Sequence, residues 1–117
     1  MARFPVGATL GGVFKRYPIR SWEYPRFVNW LKEMASKGIY SWDSVREWLE
    51  DPKKAPKAVI VEFRWSYKDD YIRPIEPEEV SAFRVWLEER GLSWWDYELV
   101  SENIKEILRA EFRLSQV

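Results

Sequence analysis

The chain has 117 residues, 46% of them hydrophobic and 32% charged, which is long enough to bury one hydrophobic core and too apolar for a disordered protein. Nineteen Lys and Arg balance nineteen Asp and Glu, and the chain contains neither Cys nor His. This composition excludes disulfides, imidazole general bases and the usual zinc sites.

Charge is unevenly distributed along the chain. Residues 1–68 carry 13 Lys and Arg against 7 Asp and Glu, whereas residues 69–117 carry 6 against 12. Such polarity can give a neutral protein a basic surface, or opposite charges can mix once the chain is folded. One Gln and two Asn beside 38 charged residues are typical of proteins from hot environments, so we expect a thermophilic source.

The first predicted element is a β-hairpin. Residues 3–9 and residues 12–19 flank Gly11 and Gly12, and a glycine pair between two such runs is a strong turn signal. Two helices follow. Apolar residues recur at helical spacing over residues 27–35, and Ser41 can cap a shorter helix that ends before Pro52. The segment 51–57, DPKKAPK, is predicted to be a linker.

The same order of elements is predicted for the second half. Residues 58–67, AVIVEFRWSY, are rich in β-branched and aromatic residues, residues 68–70 form a turn, and residues 71–75 form the returning strand. A helix is expected over residues 77–90, and a last helix from about residue 94 to residue 114.

The two halves resemble each other in sequence. Seven of sixteen positions between residues 18 and 33 are identical to those 56 residues later, and the match resumes after a deletion of three residues. The identical pairs are Pro18 and Pro74, Ile19 and Ile75, Glu23 and Glu79, Phe27 and Phe83, Trp30 and Trp86, Leu31 and Leu87, Glu33 and Glu89, Gly38 and Gly91, Trp42 and Trp95, and Asp43 and Asp96.

We therefore predict an α+β fold in which two ββαα units form a four-stranded antiparallel sheet with helices on one face. The chain would be a single domain, residues 1–117, built from an internal duplication of about residues 3–50 and 58–114.

The duplication divides the tryptophans into those that match between the halves and those that do not. Those that match between the halves are interpreted as core residues: Trp30, Trp86, Trp42 and Trp95. Those without a match are better candidates for binding, although a single tryptophan is more often core: Trp22, Trp48, Trp65 and Trp94.

One face of the predicted sheet combines aromatic rings with cations. Because side chains alternate across a sheet, Lys15 and Tyr17 share a face with Tyr71 and Arg73, and a buried face would not accept these cations. The candidate nucleic-acid-binding residues are Lys15, Arg16, Tyr17, Arg20, Arg64, Trp65, Tyr67, Lys68, Tyr71 and Arg73.

Such a surface favours single-stranded nucleic acid, because unpaired bases can stack on rings while cations follow the phosphates. We predict a non-enzymatic, largely sequence-independent single-stranded DNA-binding protein for replication or repair, with RNA as a further ligand. The alternative is a protein-interaction or assembly module that uses the unmatched aromatic residues, since rings beside Arg are also common in strands that only stabilise a fold.

A Trp-rich chain without Cys or His, with the stretch VEFRWSYKDDYIRPI, an acidic C-terminal half and a terminal helix, resembles the ThermoDBP family, single-stranded DNA-binding proteins of the Thermoproteales. The resemblance implies binding with little sequence preference in a cleft with an apolar base and basic edges, and dimerisation through a C-terminal helix.

The last helix offers two alternatives. Tyr97, Val100, Ile104, Ile107 and Leu114 follow a spacing of four and three over about two heptads, with Glu111 breaking the series. Packing on the chain's own core is the first interpretation, and a homodimer through this helix is the second.

Enzymatic function is not predicted. The adjacent pairs Asp69-Asp70, Glu78-Glu79 and Glu88-Glu89 do not converge on one point, because sequence neighbours diverge on a helix or strand, and we read them as solvated charge. No cofactor and no metal are expected. No apolar run approaches the roughly 20 residues that span a bilayer, and no secretory signal is visible, so we expect a cytoplasmic protein without a membrane partner.

Overall fold

The computed structural model describes residues 9–116, and 77% of these residues are helical. The described residues form eight α-helices: α1 Leu10–Arg16, α2 Tyr24–Ser36, α3 Trp42–Glu50, α4 Lys57–Ser66, α5 Lys68–Ile72, α6 Val80–Glu89, α7 Trp94–Leu99 and α8 Glu102–Ser115. Single 3₁₀ turns at Ser21–Glu23, Pro52–Lys54 and Pro77–Glu79 precede α2, α4 and α6.

The prediction of an α+β fold with a four-stranded sheet is wrong, since no strand occurs in residues 9–116. Residues 58–67, predicted as a strand, lie mostly in α4, and the predicted turn at residues 68–70 lies in α5. Of the first predicted hairpin, residues 3–8 lie outside the described residues, and most of residues 12–19 lie in α1.

Burial explains why residues 57–66 are helical despite their strand-like composition. Val59, Ile60, Phe63 and Arg64 are buried, and spacings of one and four residues put them on one side of a helix rather than of a strand. β-Propensity spans only about 1 kcal/mol, whereas burying a single large apolar side chain contributes about 1.5 to 3 kcal/mol, so the tertiary contacts prevail.

The chain divides into two compact units. Residues 14–66 form the basic unit, with eleven Lys and Arg and seven Asp and Glu, a net charge of +4. Residues 67–116, together with residues 9–13, form the acidic unit, with seven Lys and Arg and twelve Asp and Glu, a net charge of −5. Residues 51–57, expected to be a linker, lie inside the basic unit.

The elements follow a similar order in the two units. A helix ends at an extended segment with proline, a 3₁₀ turn leads into a long helix, and that helix ends at a glycine with a left-handed backbone: Gly38 has φ 75° and Gly91 has φ 74°. The last helices also match, since α4 contains EFRWS at residues 62–66 and α8 contains EFRLS at residues 111–115.

Each unit has an aromatic core built from corresponding residues. In the basic unit Phe27 lies 5.1 Å from Phe63 between ring centroids, with the planes at 66°, and stacks near Trp30. In the acidic unit Phe83 lies 5.1 Å from Phe112 with the planes at 70°, and stacks near Trp86. The assignment of Trp30 and Trp86 to the core is therefore confirmed.

The assignment of Trp42 and Trp95 to the core is wrong, because both side chains are exposed. Of the unmatched tryptophans, Trp22 and Trp65 are exposed, and Trp94 is half-buried against Phe83.

A buried arginine anchors the basic unit. Arg64, on α4, has no exposed surface, and it donates to both carboxylate oxygens of Glu23 at 2.9 and 2.8 Å. Its guanidinium also donates to the backbone carbonyls of Phe14, Tyr17 and Pro18, at 2.6, 2.5 and 2.8 Å. These carbonyls lie in or just after the last turn of α1, where helix carbonyls have no partner within the helix.

The acidic unit repeats this anchor. Arg113, on α8, donates to both carboxylate oxygens of Glu79 at 3.1 and 3.0 Å. It also donates to the backbone carbonyls of Tyr71, Arg73 and Pro74, at 2.9, 2.6 and 2.9 Å. Arginine suits this role because its planar fork carries five N–H donors, and in each unit all five have an acceptor.

The last predicted helix, residues 94–114, is two helices. It breaks at Val100 and Ser101, and the Ser101 hydroxyl accepts from the backbone N–H of Ile104 and so caps α8. Leu108 and Phe112 of α8 pack in the cluster that contains Phe83, so this helix packs on the core of its own unit.

We predict that Arg64→Met destabilises the protein by about 3 to 5 kcal/mol, since it leaves the buried Glu23 carboxylate and three buried or partly buried carbonyls without their donor. Arg64→Lys should also destabilise, because an ammonium group has only three N–H donors. Urea unfolding followed by circular dichroism measures the change. The control Lys32→Met, on the exposed face of α2, should stay within about 0.5 kcal/mol of wild type. Equal effects of Arg64→Met and the control would contradict the anchor.

Acid should weaken the anchor of the acidic unit, in which Arg113 binds Glu79. Burial raises the pKa of Glu79, but hydrogen bonds from Arg113 and the backbone of Glu76, and the charges of Arg113 and Arg73, outweigh it, so the net pKa lies below the ordinary 4.5. A lowered folded-state pKa gives stability that is present above about pH 4.5 and lost as pH falls through the folded value. The stability difference between wild type and Glu79→Gln should therefore shrink from pH 7 to pH 3 in urea unfolding. A difference independent of pH would refute this.

Candidate functional site

The basic unit contains a groove of about 290 Å³ between the end of α1, the 3₁₀ turn of residues 52–54 and the start of α4. Four of its lining residues are cationic and none is a carboxylate. The lining residues are Lys15, Arg16, Tyr17, Pro18, Ile19, Pro52, Lys53, Ala55, Lys57 and Ile60. We call this set the basic groove.

The sequence positions one side of the basic groove through the arginine anchor. Arg64 holds the carbonyls of Tyr17 and Pro18, which fixes the segment where α1 ends. Lys15 and Arg16 occupy the last turn of α1, where cations interact favourably with the negative end of the helix dipole. Both side chains are exposed, so their charges face solvent.

The other side is set by two short-range features of the segment 51–57. The Asp51 carboxylate accepts from the backbone N–H of Lys53 at 3.1 Å and caps the 3₁₀ turn. Ala55 is buried beneath the turn, and Lys57 is the first residue of α4. The lysines at residues 53 and 57 are therefore exposed on a locally ordered segment.

The electrostatics of the basic groove favour an anion. Of the ion pairs formed by residues 9–116, none involves Lys15, Lys53 or Lys57. The guanidinium carbon of Arg16 lies 5.2 Å from the centroid of the Tyr17 ring. Four cations around a concave surface attract negative charge more strongly than dispersed cations would.

Three of the predicted site residues line this groove: Lys15, Arg16 and Tyr17. Arg20 is half-buried, and its backbone N–H donates to Glu23. Trp65 is exposed, with its ring 5.7 Å from Phe14 in an edge-on contact.

Three further predicted residues, Tyr67, Lys68 and Arg73, belong to the acidic unit. Tyr67 is half-buried, and Lys68 is exposed in the first turn of α5. Arg73 is exposed, lies 3.9 Å from a Glu79 oxygen and donates to the backbone carbonyl of Asp70.

The role predicted for Arg64 and Tyr71 is wrong, because both are fully buried. A buried guanidinium whose five donors are all engaged cannot bind phosphate, and a buried ring cannot receive a base. Residues 63–73 mix buried core and anchor residues with exposed ones, which explains why cations and rings stand side by side there. These residues do not form the face of a sheet.

Sequence reasoning missed Lys53 and Lys57, because it treated their segment as a linker; three lysines in the seven residues 51–57 were the available signal. It also missed both arginine anchors. The match of EFRWS with EFRLS would have pointed to Arg64 and Arg113, and Glu79 was read as solvated charge although it belongs to an anchor.

No cluster of three or more acidic side chains that could hold a metal ion occurs in residues 9–116. Within the same range, every helix is too short or too polar to cross a membrane.

Comparison with known proteins found no matching family, no similar curated protein and no similar solved structure.

Proposed function

We propose that the protein binds single-stranded nucleic acid, with DNA as the leading ligand, through the basic groove. The observation that carries this proposal is the presence of Lys15, Arg16, Lys53 and Lys57 around one concavity without a lining carboxylate. Phosphate binding depends on such cations, and binding along the backbone is insensitive to base sequence.

The apolar part of the basic groove supports unpaired bases as ligands. Pro18, Ile19, Pro52 and Ile60 contribute apolar surface, and Tyr17 contributes a half-buried ring. Base faces are accessible only where strands are unpaired, and a stacked base contributes about 1 to 3 kcal/mol. Four cations and a small groove suit a few nucleotides of a flexible strand.

The proposed role is non-enzymatic protection of exposed strands in replication or repair. The resemblance to ThermoDBP proteins supports this choice, because an apolar base with basic edges is what that resemblance implies for a binding cleft. The net charge of +4 on the basic unit supports it as well.

The double variant Lys53→Gln/Lys57→Gln should weaken binding of an unstructured, fluorescein-labelled oligothymidine by about tenfold or more at moderate salt. The slope of log affinity against log salt should become shallower by about 1.4, since each lost phosphate contact to a single strand removes roughly 0.7. Fluorescence anisotropy titration at several salt concentrations measures both quantities. Duplex DNA should compete poorly, and an RNA oligonucleotide of equal length tests the choice of DNA.

The matched control is Lys32→Gln/Lys37→Gln, which removes the same charge from exposed positions of the basic unit outside the groove. It should change affinity less than twofold. Equal losses in both double variants would show general charge attraction and refute the groove, and absence of oligonucleotide binding by wild type would refute the function.

A further inference from the structure

Some residues are identical in the two copies of the repeat. Most of the retained pairs have a structural role: Glu23 and Glu79 belong to the anchors, Gly38 and Gly91 adopt positive φ, and the retained Phe and Leu pairs are buried. Trp42 and Trp95 are different. They match in sequence but remain 45% and 69% exposed, so packing within a unit covers neither ring fully.

In the acidic unit, Trp95 is part of a small exposed apolar face. Trp95 and Leu99 lie four residues apart on α7, which puts them on one side of the helix, and they are 69% and 67% exposed. Glu98 is exposed beside them, and none of the ion pairs within residues 9–116 involves it. We call Trp95, Glu98 and Leu99 the acidic face.

In the basic unit, Trp42 is part of a second exposed face, which carries an arginine. Trp42 and Arg46 lie four residues apart on α3, and Ile39, just before this helix, is 58% exposed. Arg46 lies 3.7 Å from Asp43, but side-chain exposures of 70% and 94% mean that this pair contributes little and can exchange partners. We call Ile39, Trp42 and Arg46 the cationic face.

We propose that the acidic face of one copy of this chain docks on the cationic face of a second copy. Each face offers a large ring and an aliphatic side chain, and Glu98 of one copy complements Arg46 of the other. The net charges of −5 and +4 on the units that carry the faces favour this pairing over contacts between like faces. Nucleic acid is a poor occupant for the acidic face because phosphates are repelled by it.

The association is heterologous, because two different faces meet. A dimer formed this way retains one unused face of each kind, so further copies can add until the assembly closes or its ends are capped. Association should therefore rise with protein concentration and fall with added salt.

Sedimentation velocity tests the proposal with the full chain. Wild type should sediment with an average mass above that of one chain and rising with concentration, whereas Trp42→Ala and Trp95→Ala should each remain monomeric. An equimolar mixture of these two variants should form dimers that grow no further, because each supplies the one intact face that the other lacks. A mixture that stays monomeric, or single variants that still associate like wild type, would overturn the proposal.

Charge exchange provides a second test that leaves the tryptophans in place. Arg46→Glu and Glu98→Arg should each weaken association by about tenfold or more, and the double variant should recover most of it because the pair is reversed. The control Glu88→Arg changes the same charge at an exposed position of α6 and should have little effect. Failure of the double variant to recover association would refute the pairing. The proposal would also be refuted if wild type stayed monomeric and Trp42→Ala bound the oligonucleotide more weakly than wild type.

Discussion

The guanidinium of a buried arginine, shared between one glutamate and three backbone carbonyls, is the interaction on which the rest of each unit depends. In the basic unit it joins the last helix to the end of the first, across 41 residues between Arg64 and Glu23. In the acidic unit Arg113 does the same with Glu79. Burying a carbonyl or carboxylate without a hydrogen-bond donor costs folding free energy. The arginine supplies these donors, which a purely hydrophobic core could not do.

This constraint also separates the interior cations from those that line the groove. Arg64 neutralises Glu23 inside the basic unit, whereas Lys15, Lys53 and Lys57 remain exposed around the groove. Because Arg64 holds the carbonyls of Tyr17 and Pro18, the groove lies on a fixed backbone rather than on a mobile loop. A preformed site of this kind loses little conformational entropy when a ligand binds.

The repeat has kept its interior and changed its surface. Phe27 and Phe83 each lie 5.1 Å from a phenylalanine of the last helix of their unit, yet the units that contain them differ in net charge by nine, from +4 to −5. Packing restricts interior residues to a narrow range of shapes, whereas surface charge changes at little cost to stability. One scaffold can therefore carry the groove proposed for nucleic acid in one unit and the proposed acidic docking face in the other.

Local patterns in the sequence determined the long helices α2 and α6, the glycine at the end of each, the cap at Ser41, and the burial of Trp30 and Trp86. Three of the groove residues, Lys15, Arg16 and Tyr17, were also predicted, although on a strand. Only the tertiary structure decided that residues 57–66 are helical, that Arg64 is buried and that Trp42 is exposed. The physical reason is range: caps and periodicity act within a few residues, whereas burial and ion pairing depend on partners that folding brings from dozens of residues away.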